Sequence, residues 1–271
     1  MVSFVERCYN RDMLVDSHCH LHDRQFFTEE QARERLSRAR AAGVSKMVCI
    51  GTDVADSLAA REFARENEGV YFTFGIHPNE VDEATKREEN LRRLDEFLDS
   101  EEAGQVLQDP KCVAIGEVGL DYHFEGFSRE AQIALFERML ALAEKKDLPL
   151  SFHVREGFSD FFGIVANFPK VRGVVHSFTD SKKVLKRILA ETEFFVGVNG
   201  LATYSTLPLA PLSRILLETD APFLAPKPFR GEMNEPAYIR EIAEWLAETT
   251  GESLEKVAAV TTENVEKLYR I

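Results

Sequence analysis

The chain has 271 residues, of which 44% are hydrophobic and 29% are charged, and its formal net charge is −13. This length and composition allow a sizeable core and predict one domain, 1–271, with an N-terminal extension at 1–12. The negative charge argues against attraction of nucleic acid or anionic membranes by the overall field, so an anionic substrate must be held by local cations.

The N-terminus and the cysteines indicate the compartment. Charged residues interrupt the first twelve positions, and no apolar run approaches the ~18 residues of a membrane span. The four cysteines have no CxxC spacing or disulfide-like pattern, which is typical of reduced thiols: Cys8, Cys19, Cys49 and Cys112. No coiled-coil heptads occur. We therefore expect a cytoplasmic monomer, or a nuclear one in a eukaryote, with no membrane partner.

Short apolar runs alternate with amphipathic stretches along the chain. The runs predict eight strands, at 13–18, 46–51, 70–75, 112–117, 149–153, 173–178, 194–198 and 214–219. Strands that are apolar throughout belong to parallel sheets covered on both faces. With intervening helices, they predict the α/β class and a single (β/α)8 TIM barrel, whose active site lies at the C-terminal ends of the strands. A doubly wound sheet is the competing fold, but neither GxGxxG nor GxxxxGK[ST] occurs.

Helix signals lie between these runs. The stretch 28–43 predicts an amphipathic helix with Thr28 as its N-cap and Gly43 as its C-cap, and 128–147 repeats the pattern. Two final helices are expected near 236–249 and 253–268.

The histidines follow the predicted strands. All seven lie at or just beyond a strand's carboxyl end, and none lies on a predicted helix: His18, His20, His22, His77, His123, His153 and His176. Glu117 ends strand four and Asp220 follows strand eight. In a barrel these positions converge on the active site.

Four of these imidazoles and the two carboxylates have the composition of a metal centre: His18, His20, His153, His176, Glu117 and Asp220. Residues two apart in an extended segment project to the same side, so the HxH pair can approach one ion. Six ligands exceed what one catalytic zinc with an open position needs, and they suit two divalent ions. The alternatives are a salt bridge to a buried arginine for Glu117 and a helix cap for Asp220.

Seven segments resemble, in order, the motifs of the TatD family of metal-dependent deoxyribonucleases in the amidohydrolase superfamily: "DSHCHL", "GIHPNE", "AIGEVGLDY", "SFHVRE", "VHSFTDS", "ETDAPFLAP" and "RGEMNEPAY". The resemblance extends from about Leu14 to the C-terminus. It implies hydrolysis of phosphodiester bonds, usually from the 3′ end of single-stranded DNA, with RNA as another substrate. It also implies two divalent metal ions, Mg²⁺, Mn²⁺ or Zn²⁺.

The resemblance also implies residue roles. One ion would be held by His18, His20, Glu117 and Asp220, with Glu117 bridging, and the second by His153 and His176. Asp220 would accept the proton of the attacking water, which makes Asp220 and Glu117 the catalytic residues. Substrate contacts would come from His77, His123 and Arg155. For His77 the alternative is a turn fixed by Pro78, and for Arg155 it is a salt bridge to Glu156 or Glu117.

Two departures from the family pattern affect substrate choice. The segment 202–211 lacks a lysine that relatives often carry after strand seven, and residues ahead of strand one have no clear counterpart. Two other functions stay open: hydrolysis of C–N or C–O bonds by an amidohydrolase or lactonase, and a non-enzymatic role through a partner. Relatives of the first kind often have a carbamylated lysine on strand four. Glu117 at that place favours the nuclease.

Several residues near the barrel mouth are expected to contact nucleic acid or support the site. Candidates for stacking with bases are Phe26, Phe27, Tyr122, Phe124 and Phe127, but for each one taken singly core or loop packing is favoured. Cations at the rim are Arg24, Lys227 and Arg230. Asn199 and Thr203 are candidates for substrate hydrogen bonds, whereas Arg230 and Asn234 are expected to hold a loop. His22 is expected to support the site or to be a loop residue.

Overall fold

The protein is described from a computed structural model that covers residues 13–271, so the predicted extension lies outside the described residues. Eight strands follow one another along the chain: β1 (Leu14–Cys19), β2 (Val44–Cys49), β3 (Val70–Phe74), β4 (Cys112–Asp121), β5 (Leu150–Arg155), β6 (Gly173–Val175), β7 (Phe195–Val198) and β8 (Ile215–Leu217). Each pairs in parallel with the next, in the order β1 to β8.

Two backbone hydrogen bonds join the first strand to the segment after the last. The Asp220 N–H donates to the His18 carbonyl at 2.8 Å, and the His20 N–H donates to the Ala221 carbonyl at 2.7 Å. These bonds bring the ends of the sheet together, and the predicted (β/α)8 barrel is confirmed.

Helices alternate with the strands in the described part of the chain: α1 (Glu29–Ala41), α2 (Val54–Glu66), α3 (Ala84–Leu98), α4 (Glu101–Leu107), α5 (Arg129–Lys146), α6 (Phe158–Val165), α7 (Lys182–Glu191), α8 (Ile239–Thr250) and α9 (Leu254–Tyr269). Thr28 caps α1 as predicted, in a capping box with Gln31. The predicted C-cap was off by one residue, because Ala42 is the cap and Gly43 follows it with φ 91°.

Several strand boundaries differ from the prediction, because pairing sets them. β4 runs four residues past the predicted end, to Asp121, because that residue is still paired with Arg155 of β5. β6 and β8 end earlier than predicted, at Val175 and Leu217. As a result, His176 and Asp220 lie just beyond their strands.

The core surrounds the sheet. One large cluster of buried apolar side chains fills the space between strands and helices. A smaller cluster of strand residues, including Val15, Val113 and Leu216, packs with Leu268 and Tyr269 of α9. Every residue of β4 is buried, as expected for a parallel strand covered on both faces.

Three of the four cysteines lie within the described residues. Cys19, Cys49 and Cys112 are free and buried, and Cys8 lies outside the described residues. Within residues 13–271, no helix has the length and apolar character needed to cross a membrane.

Candidate metal centre

The structure brings all six predicted metal ligands together at the carboxyl end of the barrel. Three overlapping triplets have ligand atoms within 4.8 Å of one another: His18, His20 and Asp220; His18, Glu117 and His176; and His77, Glu117 and His153. The first triplet shares His18 with the second, which shares Glu117 with the third. The residues therefore form adjoining clusters.

Glu117 lies between these clusters. Its Oε2 is 3.6 Å from His18 Nε2, whereas its Oε1 is 2.6 Å from His153 Nδ1 and 2.8 Å from His176 Nε2. Its ion-pair partners within the described chain are imidazoles, so the alternative of a salt bridge to a buried arginine is wrong. The two carboxylate oxygens face different imidazoles, which is the arrangement that a bridging ligand needs.

A glycine on the neighbouring strand makes room for the Glu117 backbone. A Cβ placed on Gly75, just after β3, would lie 2.3 Å from the Glu117 nitrogen and 2.1 Å from the Gly116 carbonyl carbon. Real side chains do not approach backbone atoms so closely. The absence of a side chain at Gly75 therefore allows the close approach that places Glu117 in the barrel mouth.

The first cluster is built where β1 meets the segment after β8. His18 Nε2 and His20 Nε2 are 3.3 Å apart, and each is 3.5 Å from Asp220 Oδ1. Asp220 has φ 57°, a left-handed conformation that aspartate tolerates better than most residues. No α-helix begins near it in the described chain, so the predicted alternative of a helix cap is wrong.

The ring of His20 has a defined orientation. Its Nδ1 is 3.1 Å from the Ile50 carbonyl oxygen. Because a carbonyl only accepts hydrogen bonds, Nδ1 carries the proton and the lone pair of Nε2 faces the cluster.

Two carboxylates that sequence reasoning missed lie behind the rings of His153 and His176. His153 Nε2 is 3.1 Å from Asp121 Oδ2, and His176 Nδ1 is 3.6 Å from Glu218 Oε1. In both His153 and His176, one ring nitrogen faces Glu117 and the other faces one of these two carboxylates. Asp121 is four residues after Glu117 on the same strand, and Glu218 is two before Asp220. Period-two alternation could have identified both.

Glu218 is fully buried. Its Oε1 accepts a hydrogen bond from the Ser177 N–H at 2.6 Å and one from Asn199 Nδ2 at 3.4 Å. A Cβ on Gly197 would lie 2.3 Å from Glu218 Oε2, so this strand position leaves space for the carboxylate. Asn199 is buried and its amide is engaged here. The prediction that Asn199 contacts substrate is therefore wrong.

Both site carboxylates are charged at neutral pH. Burial opposes the ionisation of Glu117, but the neighbouring His176, His153 and His18 rings hold its pKa well below the usual range. Burial also opposes ionisation of Asp220, but the neighbouring His20, His18 and His176 rings lower its pKa. The mouth of the barrel therefore holds two buried anions among imidazoles, which is an environment suited to cations.

His77 differs from the other imidazoles of the site. Burial, together with His153, lowers the pKa of His77 to about 3, so its ring is neutral. Its Nδ1 accepts the Asn79 N–H at 3.2 Å, so the ring proton is on Nε2. That nitrogen is 3.7 Å from Glu117 Oε1. Because Nε2 carries the proton, His77 offers the site a hydrogen-bond donor. His77 also caps a short 3-10 turn at Pro78, so the predicted turn is present as well.

His123 and Arg155 lie at the exposed rim. His123 Nδ1 is 2.7 Å from Glu156 Oε1, and Arg155 lies 5.5 Å from the centre of the Phe124 ring. Glu156, the alternative partner expected for Arg155, thus pairs with His123. Both predicted substrate residues are exposed beside the cleft but outside the clusters of ligand atoms.

Other predicted residues have packing roles. His22 is buried with Nε2 3.0 Å from Asp56 Oδ1, which ties the segment after β1 to α2. Asn234 is buried, and its Nδ2 donates to the Thr219 and Phe223 carbonyls, so it holds the loop after β8 as predicted. Thr203 donates to the Gly200 carbonyl within its own turn.

The predicted rim cations are exposed, whereas the candidate stacking aromatics include both buried and exposed rings. Arg24, Lys227 and Arg230 are exposed, and Arg230 lies over the Tyr204 ring at 4.6 Å. Phe27 is buried, so it has the core-packing role that was favoured for each single ring. Of the other four aromatics, Tyr122 and Phe127 stack on each other at 4.7 Å, whereas Phe26 and Phe124 are exposed.

The residues present fit divalent metal ions. The ring nitrogens of His18 and His20, and likewise His153 Nδ1 and His176 Nε2, approach each other to 3.3 Å around charged carboxylates. Imidazole nitrogens with carboxylate oxygens are a donor set for Zn²⁺ or Mn²⁺. The ring nitrogen of His20 that faces away from the cluster is bonded to the Ile50 carbonyl. Hydrogen bonds of this type orient histidines that bind metals.

Comparisons with known proteins agree with this chemistry. A family model described as TatD related DNase matches residues 15–270. The chain is 35% identical to the uncharacterised metal-dependent hydrolase YabD of Bacillus subtilis (96% of this chain, 100% of that protein). It is 34% identical to the 3′-5′ ssDNA/RNA exonuclease TatD of Pantoea vagans (95% and 100%). The crystal structure of YJJV, a TatD homologue from Escherichia coli K12, superimposes with a TM-score of 0.82 at 27% identity (97% and 99%).

The barrel, the clustered imidazoles and carboxylates, and these relatives together define a metal-dependent hydrolase. The chain belongs to the family of TatD related DNases. The resemblance inferred from the seven sequence motifs is thereby confirmed.

Proposed function

We propose that the protein is a 3′-5′ exonuclease that hydrolyses single-stranded DNA with two divalent cations at the candidate metal centre. The observation that carries this proposal is Glu117, whose two carboxylate oxygens face different imidazoles. The name of the Pantoea vagans relative supports the polarity and the substrate. All the residues invoked lie within one chain, so we propose a monomer with a single domain, acting in the cytoplasm.

The proposed ligands divide between two ions. His18, His20 and Asp220 would hold one cation, His153 and His176 would hold the other, and Glu117 would serve both. Bound there, the cations would supply Lewis acidity and lower the pKa of a water molecule.

The side chains around the ions have separate tasks in hydrolysis. Asp220 Oδ1 faces His18 and His20, so Oδ2 takes the proton of the attacking water. The water oxygen bonds to phosphorus, and the bond to the 3′ oxygen of the shortened strand breaks. That oxygen takes up a proton and becomes a hydroxyl. The Nε2–H of His77 donates to a phosphate oxygen, while His123 and Arg155 hold the strand at the rim.

The test uses metal-stripped protein and a single-stranded oligonucleotide labelled at either end. Mg²⁺, Mn²⁺ and Zn²⁺ are added separately, and a DNA strand is compared with an RNA strand of the same sequence. We expect a ladder from the 5′-labelled DNA and immediate release of the label from the 3′-labelled DNA. Glu117→Ala should lower kcat/KM by about 100-fold or more, since it removes a ligand of both ions.

The matched control is Glu191→Ala, which removes an exposed glutamate on α7 that is paired with Arg187. It should cleave like the wild type. A ladder from the 3′-labelled strand instead would contradict the polarity. Faster cleavage of RNA would contradict the choice of DNA. Absence of cleavage by protein that binds two ions would overturn the nuclease and favour hydrolysis of amides or esters.

A further inference from the structure

Exposed aromatic rings are concentrated at the mouth of the barrel. Five large apolar side chains are exposed within residues 13–271: Met13, Phe26, Phe124, Phe223 and Met233. Met13 precedes β1 at the opposite end of the barrel, and Met233 contacts Arg35 of α1 through its sulfur. The three phenylalanines all follow the carboxyl ends of strands that supply the candidate metal centre. Isolated apolar exposure is ordinary, but its concentration around a site indicates a ligand.

Two of these rings form one unit beside the first cluster of ligands. The Phe223 ring, 44% exposed, meets the Phe26 ring edge to face at 5.1 Å and the His20 ring at 6.2 Å. Contacts on two sides hold Phe223 in place before any ligand arrives. A rigid ring that remains exposed is suited to stacking, since little side-chain freedom is lost on binding.

The third ring lies on the other side of the mouth. Phe124 is 51% exposed and follows β4, whereas Phe223 follows β8, four strands further around the barrel. The His123 ring is 5.3 Å from Phe124, and the Arg155 guanidinium is 5.5 Å from it. An aromatic face beside a guanidinium and an imidazole matches a nucleotide, which presents a flat base next to a phosphate.

We propose that Phe223, supported by Phe26, and Phe124 are two stacking sites for unpaired nucleobases on either side of the scissile phosphate. This inference rests on the proposed nuclease function and specifies its substrate as a strand whose bases are exposed. A duplex end would have to separate first, because paired bases stack on each other and not on the rings. The rings recognise any base, so the preference is for single strands and not for a sequence.

The test compares a single-stranded DNA oligonucleotide with one of the same length whose terminal nucleotides carry tetrahydrofuran in place of the bases. Both have the same phosphodiester bonds. We expect wild-type kcat/KM to be about tenfold or more higher for the strand with bases, as stacking on one aromatic ring predicts. Phe223→Ala and Phe124→Ala should each reduce this preference severalfold. Phe223→Leu should do the same, because it keeps apolar bulk without an aromatic face.

Met233→Ala is the matched control, since it removes an exposed apolar side chain from the same segment after β8. It should retain the wild-type preference. A second measurement is quenching of 2-aminopurine near the 3′ end of a strand with phosphorothioate linkages, which slow its hydrolysis, on binding to the metal-loaded protein. Phe223→Ala should diminish this quenching. Melting temperatures within about 2 °C of the wild type would exclude misfolding.

The outcomes separate the two proposals. Equal wild-type cleavage of both strands would overturn the stacking sites and leave the nuclease intact. A preference that persists in Phe223→Ala and Phe124→Ala would also overturn them. A wild-type protein that cleaves neither strand would overturn the proposed function, and the stacking sites with it.

Discussion

At the scale of single residues, the site depends on partners behind the candidate ligands. His20, His153 and His176 each direct one ring nitrogen at the clustered carboxylates. The other nitrogen faces a backbone carbonyl or one of the buried carboxylates Asp121 and Glu218. Such partners fix the ring orientation and raise its basicity. We therefore expect metal affinity to depend on side chains that never touch an ion.

Glu218→Gln tests this dependence. The amide has nearly the same shape but no charge, so His176 loses the carboxylate 3.6 Å from its Nδ1. We expect affinity for the more weakly held ion to fall about tenfold or more. Isothermal titration of metal-stripped protein with Zn²⁺ or Mn²⁺ measures it. Glu191→Gln, on the exposed face of α7, should bind like the wild type. Unchanged affinity would mean that Glu218 serves only to hold Ser177 and Asn199.

At the scale of elements, a buried ion pair fastens α2 to the turn before β4. Asp109 Oδ2 accepts from Arg61 Nε at 3.2 Å and from Arg65 Nε at 3.0 Å, and the Lys111 N–H donates to Oδ1. Arg61 and Asp109 are 6% and 9% exposed, so water compensates either charge only weakly. The contact lies at the start of the strand whose other half carries Glu117.

Asp109→Asn should lower the free energy of unfolding by about 3 kcal/mol at pH 7, because it leaves the buried Arg61 charge unpaired. Urea denaturation measures this difference. The comparison is Asp147→Asn, whose exposed carboxylate also pairs with two arginines, Arg172 and Arg270. An exposed pair contributes about 1 kcal/mol or less, so this variant should remain close to the wild type. Equal losses in both variants would contradict the role assigned to burial.

The same pair predicts a pH dependence. Burial of Asp109 opposes its charge, but the Lys111 N–H, Arg61 and Arg65 outweigh it and hold its pKa below the usual range of an aspartate. A lowered folded-state pKa gives stability that is present above the unfolded value and is lost as the pH falls through the folded one. The difference between wild type and Asp109→Asn should therefore be complete at pH 6 and shrink below about pH 4. Urea denaturation of both proteins at pH 6 and at a pH below about 4 measures whether the difference in stability shrinks in acid.

Some of these elements are determined by local sequence and could be predicted from it. Others depend on contacts between distant segments and could not. Apolar runs identified all eight strands, and their order predicted the barrel. The candidate ligands were found because they lie next to those runs. Asp121 was missed because the end of β4 depends on pairing with β5, which the run itself does not encode. The exposure of Phe27 could not be decided from the sequence, because exposure in irregular segments depends on neighbours such as Arg35, which lies 4.7 Å over the Phe27 ring.

At the scale of the whole molecule, a net charge of −13 must be reconciled with an anionic substrate. The field of the protein repels nucleic acid, so binding has to come from the ions and from a few cations at the rim, including Arg155. The buried carboxylates Glu117 and Asp220 add to the negative charge at the same place. Cations at the centre would remove this local repulsion and stabilise the folded chain.

Metal binding should therefore raise the melting temperature of the whole barrel. Ions that bind only the folded state stabilise it by about 2.7 kcal/mol at 100 times their Kd, which corresponds to roughly 6 °C for a chain of this size. Calorimetry of metal-stripped protein with and without Mn²⁺ or Zn²⁺ measures the shift. Glu117→Ala should lose most of it, because the variant lacks the carboxylate that faces both clusters, while Glu191→Ala should show it in full. An equal rise in Glu117→Ala would mean that the ions bind elsewhere, since stabilisation by the centre requires the ligand that joins its two halves.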